Sequence, residues 1–290
     1  MITNENKRLL ALDILRGLTI IFMIIVNTPG SWSHVYAPLL HADWNGITPT
    51  DYIFPTFLFI VGVSIVLSFS KQIEIGKSRP EMTKKIFIRA LKIYAVGIFL
   101  WLWPSFNFDS IRWVGVLHRI AFVFLICAIL FLYTSKKIQI YSGIALLLFY
   151  WIIMVYIPVP GIGAPDLNIP EKNWAHYIDS MILPGKLWED TWDPEGILST
   201  LPSIATGIMG MISGYILLDK EDLIKKINKI FFIGFVLLLF GDFMQWFFPL
   251  NKNLWSSSFS LLMGGISSLA LAASLFIFDL RKIKYRFKFA

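Results

Sequence analysis

The chain has 290 residues, 56% of them hydrophobic and 16% aromatic, with a mean hydropathy of +0.66. That composition excludes a soluble globular domain, whose surface must face water, and predicts an integral membrane protein. The formal charge of +7 does not indicate nucleic-acid binding, because the cations cluster beside the apolar runs, where they orient spans and meet anionic lipid.

Eight spans are expected, at about 9–28, 51–70, 86–104, 114–133, 138–157, 197–218, 228–248 and 257–278. Each is near the ~20 residues that cross a hydrocarbon core. A lipid-exposed backbone of that length must satisfy its own hydrogen bonds, so these are helices. The fold class is therefore an all-α, polytopic membrane helical bundle, with residues 1–290 as a single domain and neither a repeat nor a low-complexity tract.

The first span follows Lys7 and Arg8 but has no small-residue cleavage pattern, so it reads as a retained anchor. Asp13 and Arg16 lie three residues apart on one of its faces, either as a self-paired ion couple or as groups turned toward a cofactor. A polar stretch with His34, His41 and Asp43 leads to Asp51 at the start of the second span. His118 and Arg119 enter the fourth, in which Cys127 is a packing residue with no partner for a disulfide or a cysteine metal cluster. The long connection at about 158–196 is rich in Pro, Gly, Trp and carboxylates, and is predicted to form a folded outward cap. It ends in Trp192-Asp193-Pro194-Glu195-Gly196. Ser199, Ser203, Gly207, Gly210 and Gly214 then form a small-residue stripe for close helix packing. Trp101, Trp103, Trp151, Trp246 and Trp255 read as interfacial anchors. Residues 279–290 look like a basic lead into a ninth helix, so the chain is expected to be a shortened form.

Charge placement orients the spans. Lys7 and Arg8, the cations of 71–85, Lys136 and Lys137, those of 220–229 and those of 281–288 occupy alternate connections, which are predicted to be cytoplasmic. The other connections hold only Arg112, Lys172, Lys186 and Lys252. Both termini are thus expected in the cytoplasm and His41 outside. No metal is expected, since His34 and His41 lack a third ligand and no HExxH pattern is present. On its own, His41 is either a base or a loop imidazole bonded to a neighbouring carboxylate such as Asp43.

Six separated motifs occur in one order: Leu12-Asp13-Ile14-Leu15-Arg16-Gly17, Val26-Asn27, His41-Ala42-Asp43-Trp44-Asn45-Gly46, Gly115-Val116-Leu117-His118-Arg119-Ile120, Asp193-Pro194-Glu195-Gly196 and Asn251-Lys252-Asn253-Leu254-Trp255-Ser256. Together they resemble the heparan-alpha-glucosaminide N-acetyltransferase family and its bacterial relatives, over about residues 9 to 281. The resemblance implies a bacterial inner-membrane enzyme that takes an acetyl group from cytoplasmic acetyl-CoA and places it on the amine of an amino sugar across the membrane. It assigns catalysis to His41 with Asn27 in support. Asn45, Asp51, Arg119, Asp193 and Glu195 become candidate substrate contacts, and Asp13, Arg16 and Arg119 candidate acetyl-CoA contacts. A homodimer is compatible with it. The chain departs from the family in having His118 where glutamine is common and in stopping before further C-terminal helices.

The chemistry is consistent with that assignment. Attack on a thioester needs a neutral amine, and an imidazole that accepts its proton serves near neutral pH; alternatively His41 carries the acetyl group itself. Asn27 is either an oxyanion donor or a helix C-cap, and Arg119 either meets an anionic group of the donor or snorkels. The other reading of the whole chain is an amino-sugar transporter, since buried polar groups at helix breaks also serve transport.

Overall fold

The helix boundaries follow the polar punctuation of the sequence. Ser78, Ser135, Asn173 and Ser256 each accept a backbone N–H with their side chains at the start of a helix, which satisfies donors that have no intrahelical partner. The structure, a computed structural model, describes residues 9–189 and 191–281. Lys7, Arg8 and the residues after 281, on which part of the charge argument and the expected lead into a ninth helix rest, lie outside that range.

Among the described residues there are nine α-helices: α1 Leu10–Asn27, α2 Ile53–Glu74, α3 Arg79–Leu102, α4 Val116–Tyr133, α5 Lys136–Tyr156, α6 Trp174–Ile182, α7 Thr200–Leu218, α8 Leu223–Met244 and α9 Ser257–Ser274, the last continuing as a π-helical turn over Leu275–Leu280. Seven of them are long and apolar enough to cross a membrane. The molecule is thus a polytopic membrane helical protein. The eighth expected span falls in α3, whose apolar stretch is interrupted by Lys85, Arg89 and Lys92. Arg89 is turned toward α4, with its guanidinium 4.9 Å from the Phe124 ring. The short α6, unforeseen in the sequence, gives the 158–196 connection a folded centre.

The packing separates a buried interior from an apolar outer surface. Leu58, Phe59, Val63, Val66, Val123, Cys127, Met211 and Met263 form the buried interior of α2, α4, α7 and α9, whereas α1, α5 and α8 leave large apolar side chains such as Ile24, Phe149 and Phe232 exposed, as a surface in contact with hydrocarbon requires. Close approach of α2 and α7 depends on glycine. A Cβ on Gly62 would sit 1.9 Å from the Gly207 carbonyl oxygen, and one on Gly210 would sit 2.0 Å from that of Phe59. The small-residue stripe therefore has the packing role its spacing indicates. Gly62→Ala is expected to destabilise by about 1–3 kcal/mol through overpacking, whereas Gly17→Ala, which meets nothing within 4 Å, should be neutral or slightly stabilising. Thermal unfolding of the two variants in one detergent checks this, and equal midpoints would refute it.

The start of α1 is fixed to the end of the chain's described part: Asp279 accepts the backbone N–H groups of Leu10 and Ala11 at 3.2 and 3.0 Å, a carboxylate at a helix N-terminus where the dipole favours it. Trp255 departs from its expected interfacial place. This residue has a positive φ of 50°, and its indole is fully buried against Phe54 and Phe259. Trp246 and Trp103 remain exposed.

Candidate active site

Between α1 and α2 the His41-Ala42-Asp43-Trp44-Asn45-Gly46 segment is fixed residue by residue. The His41 Nδ1 lies 2.6 Å from Asp51 Oδ1. The other Asp51 oxygen accepts the Ala42 and Thr48 backbone N–H groups at 3.2 and 2.9 Å, closing a capping box before α2. Asp43 accepts from the Asn253 amide through its backbone carbonyl. Trp44 donates to Leu167 O at 2.7 Å and meets the Trp192 ring edge-on at 5.0 Å. Asn45 donates to Asn168 and accepts from Asn251. Gly46, at a φ of +107° that a side chain would strain, gives its N–H to Leu250 O at 2.7 Å. One loop is thereby joined to the cap and to the segment before α9.

The consequence is an oriented imidazole. The Asp51 side chain is fully buried while that of His41 is 45% exposed, so Asp51 holds the ring at its Nδ1 side. The neighbour offered by sequence, Asp43, is not the partner, because the capping box brings Asp51 under the ring from ten residues away.

Two cavities meet here. One of 430 Å³ is lined by Asn27, Trp32, His41, Trp188, Trp192 and Lys252 among others, with the carboxylates of Asp43 and Glu189. The second, of 260 Å³, reaches inward past Thr50 and Phe54 to Glu195. Val26, Asn27, His41 and Lys252 line both. Asn27 is the last residue of α1 and donates its amide back to Met23 O at 2.8 Å; the C-cap position falls to Thr28, and Asn27 lines the cavity without capping the helix.

The remaining predicted residues divide sharply. Glu195 lines the inner cavity. Asp193 is held by Arg112 through paired hydrogen bonds of 2.5 and 2.6 Å, and Arg112 also bonds Glu195 at 2.6 Å. Burial opposes the Arg112 charge, yet the two carboxylates outweigh it and raise its pKa above the ordinary value. Burial pushes Glu195 the other way from its cations, and Lys252, Arg112 and Arg119 together leave it below the usual range. Arg119 is fully buried, 5.0 Å from the Trp255 ring centroid, and bonds Gly196 O and Ser199; it lines neither cavity. Asn45 lines neither as well, its amide being committed to the loop junction. Arg112 had gone unnoticed as a site organiser; its signal was an arginine isolated in a connection otherwise free of cations.

Asp13 and Arg16 lie at the opposite end of the bundle, 3.5 Å apart, with Arg16 also donating to Ser64 at 2.9 Å. Arg16, Ser64 and Ser68 line two cavities there, of 350 and 540 Å³, the first extending to Arg89 and the second to Lys71. Arg119 is remote from this group.

Asp179 on α6 was also missed. It is buried, accepts the Ile197 N–H at 2.8 Å, and leaves room beside Gly196 for no Cβ, which would fall 1.7 Å from its Oδ2. Burial raises its pKa to about 7, with Asp193 adding to the rise and the Ile197 bond and Arg119 opposing it. The folded protein therefore binds a proton that the unfolded chain has lost above pH ~4, and stability falls as pH rises from about 4 to 7. Asp179→Asn should remove that slope, raising the melting temperature over wild type at pH 8, by the equivalent of ~2–4 kcal/mol, and matching it near pH 4. Parallel curves for the two proteins would argue against a protonated Asp179.

A family profile described as heparan-alpha-glucosaminide N-acetyltransferase, catalytic, matches residues 8–243. The chain belongs to this family. Among curated proteins it is similar to the heparan-alpha-glucosaminide N-acetyltransferase of Mus musculus, 28% identical over 88% of this chain and 47% of the relative, and to that of Homo sapiens, 29% identical over 87% and 46%. The chain spans about half the length of these relatives. The matched region contains His41, Asp51 and the Arg16 end, whereas Lys252 and Asn253, which also line the His41 chamber, lie beyond it.

Proposed function

We propose that this protein is a membrane acetyltransferase that moves an acetyl group from acetyl-CoA to the amine of an amino sugar, with His41 as the general base. The observation that carries this reading is the Asp51-held imidazole opening into a chamber walled by three tryptophans and two carboxylates. Aromatic faces suit the apolar faces of a sugar ring, and Asp43 and Glu189 suit its hydroxyls or ammonium.

The Arg16 end suits the other substrate. Arg16, Arg89 and Lys71 with Ser64 and Ser68 are donors for the phosphate groups of acetyl-CoA. The basic connections lie at that end, which by the positive-inside rule is cytoplasmic, with the His41 end outside; the acetyl group then travels along α1 and α2.

In the reaction the amine nitrogen forms a bond to the acetyl carbon while His41 Nε2 accepts an amine proton. Asp51 stabilises the imidazolium through Nδ1, and the negative charge on the carbonyl oxygen is met by a donor, for which Asn27 is placed once its amide leaves Met23. The carbonyl re-forms as the carbon–sulfur bond breaks, CoA departs with the bonding pair on its sulfur and takes up a proton to leave as the thiol, and the acetyl group remains on nitrogen as the N-acetyl amide. Purified protein given acetyl-CoA and glucosamine-type acceptors is expected to release CoA in an acceptor-dependent way. Sugar binding with no donor-dependent product would favour the carrier reading.

A further inference from the structure

Lys252 stands in the loop before α9, where the charge pattern made it one of a few outward cations with no chemical part. Its neighbours are both pinned, Asn251 to Asn45 and Asn253 to the Asp43 carbonyl. The lysine between them projects into the chamber, where it lines both cavities with Asn27 and His41. It is half-buried, and among the described residues its ammonium makes no hydrogen bond or ion pair. Arg112 at the same end is different, being saturated by Asp193 and Glu195.

A partly dehydrated ammonium without a direct partner is costly unless something anionic arrives beside it. The groups acting on it are mixed: Glu195 and Asp51 favour its charge, and Arg119 and Arg112 oppose it. Burial is the largest influence and draws its pKa below the ordinary lysine range, which makes it a better proton donor than a surface lysine.

We infer that Lys252 is a further catalytic residue of the acetyl transfer: the cation that meets the negative charge growing on the thioester oxygen, and the acid that protonates the departing sulfur. The inference rests on the acetyltransferase reading above. The amine lone pair forms the carbon–nitrogen bond, the carbonyl pair moves to oxygen and returns, and the carbon–sulfur pair leaves on sulfur. His41 gains the amine proton, Lys252 loses one to sulfur so that CoA departs as the thiol, and the proton on His41 passes back to Lys252 through the chamber they share. No further reactant is needed.

The test compares wild type with Lys252→Met, Lys252→Gln and Lys252→Arg in kcat, KM, pH profile and protection of the protein from heat by acetyl-CoA. Both neutral variants should lose about 10²–10³-fold in kcat, with donor protection within about twofold of wild type; the glutamine variant keeps the test decisive if methionine disturbs the loop. Lys252→Arg should retain more activity than either and lose the alkaline fall in rate that deprotonation of Lys252 gives the wild type, because arginine does not titrate there. Wild-type transfer retained within about threefold by both neutral variants, or a loss confined to donor KM, overturns the assignment while leaving the acetyltransferase reading intact. A wild type that binds donor and acceptor yet transfers nothing overturns both.

Discussion

His41→Ala is expected to lower acetyl transfer by about 10²–10⁴-fold, the range that a positioned general base contributes, with little change in melting temperature. The imidazole is 45% exposed and borders cavities, so its removal opens space that already exists instead of a void in the core. Asp51→Asn should fall in the same direction, since an amide cannot hold and stabilise the imidazolium as the carboxylate does, with an added loss of stability because Asp51 also closes the turn before α2. His34→Ala provides the contrast: His34 is exposed, its ring bonds only the adjacent Ser33 hydroxyl among the described residues, and it lines neither cavity. Turnover, melting temperature and acetyl-CoA protection measured together separate chemistry from folding. Near-normal turnover in His41→Ala would remove the base from the mechanism.

Arg112→Met should have the largest effect on the fold. It would leave Asp193 and Glu195 buried without their shared partner, a change that typically costs 3–5 kcal/mol, here roughly 10 °C in melting temperature for a chain of this size. Because Arg112 lies beneath the Trp188 ring at 4.9 Å, the same substitution should loosen the cap and expose the 186–196 segment to protease. Combining it with Asp193→Asn and Glu195→Gln should restore much of the loss, since the penalty comes from the stranded carboxylates and not from a missing attraction. An Arg112→Met protein as stable as wild type would mean that these carboxylates take up protons or solvent at little cost.

The helices were legible because apolar runs of span length bounded by serine, asparagine and glycine leave few alternatives. The charges of α3 were visible as well, but the direction in which Arg89 turns depends on its neighbours and is a tertiary property. The same limit explains the site. His41, Asn27 and Glu195 could be named from their motifs, yet the His41–Asp51 pairing arises from a capping box that folds ten residues back on themselves. Lys252 had a signal in its place between two asparagines of a motif, which charge counting obscured by treating it as one more loop cation. Trp255 was misplaced because its burial against Phe54, Phe259 and Arg119 is set by distant elements, and α6 was too short for its periodicity to stand out from a loop rich in proline and tryptophan.

The central claim is that the Asp51-held imidazole moves an acetyl group to a sugar amine, and product analysis of purified protein reaches it most directly. With labelled acetyl-CoA and glucosamine, wild type should release CoA and form N-acetylglucosamine in equal amounts, and His41→Ala should form neither above background. Glucosamine that crosses a reconstituted vesicle unmodified, with no CoA released, would identify a carrier and end the acetyltransferase reading.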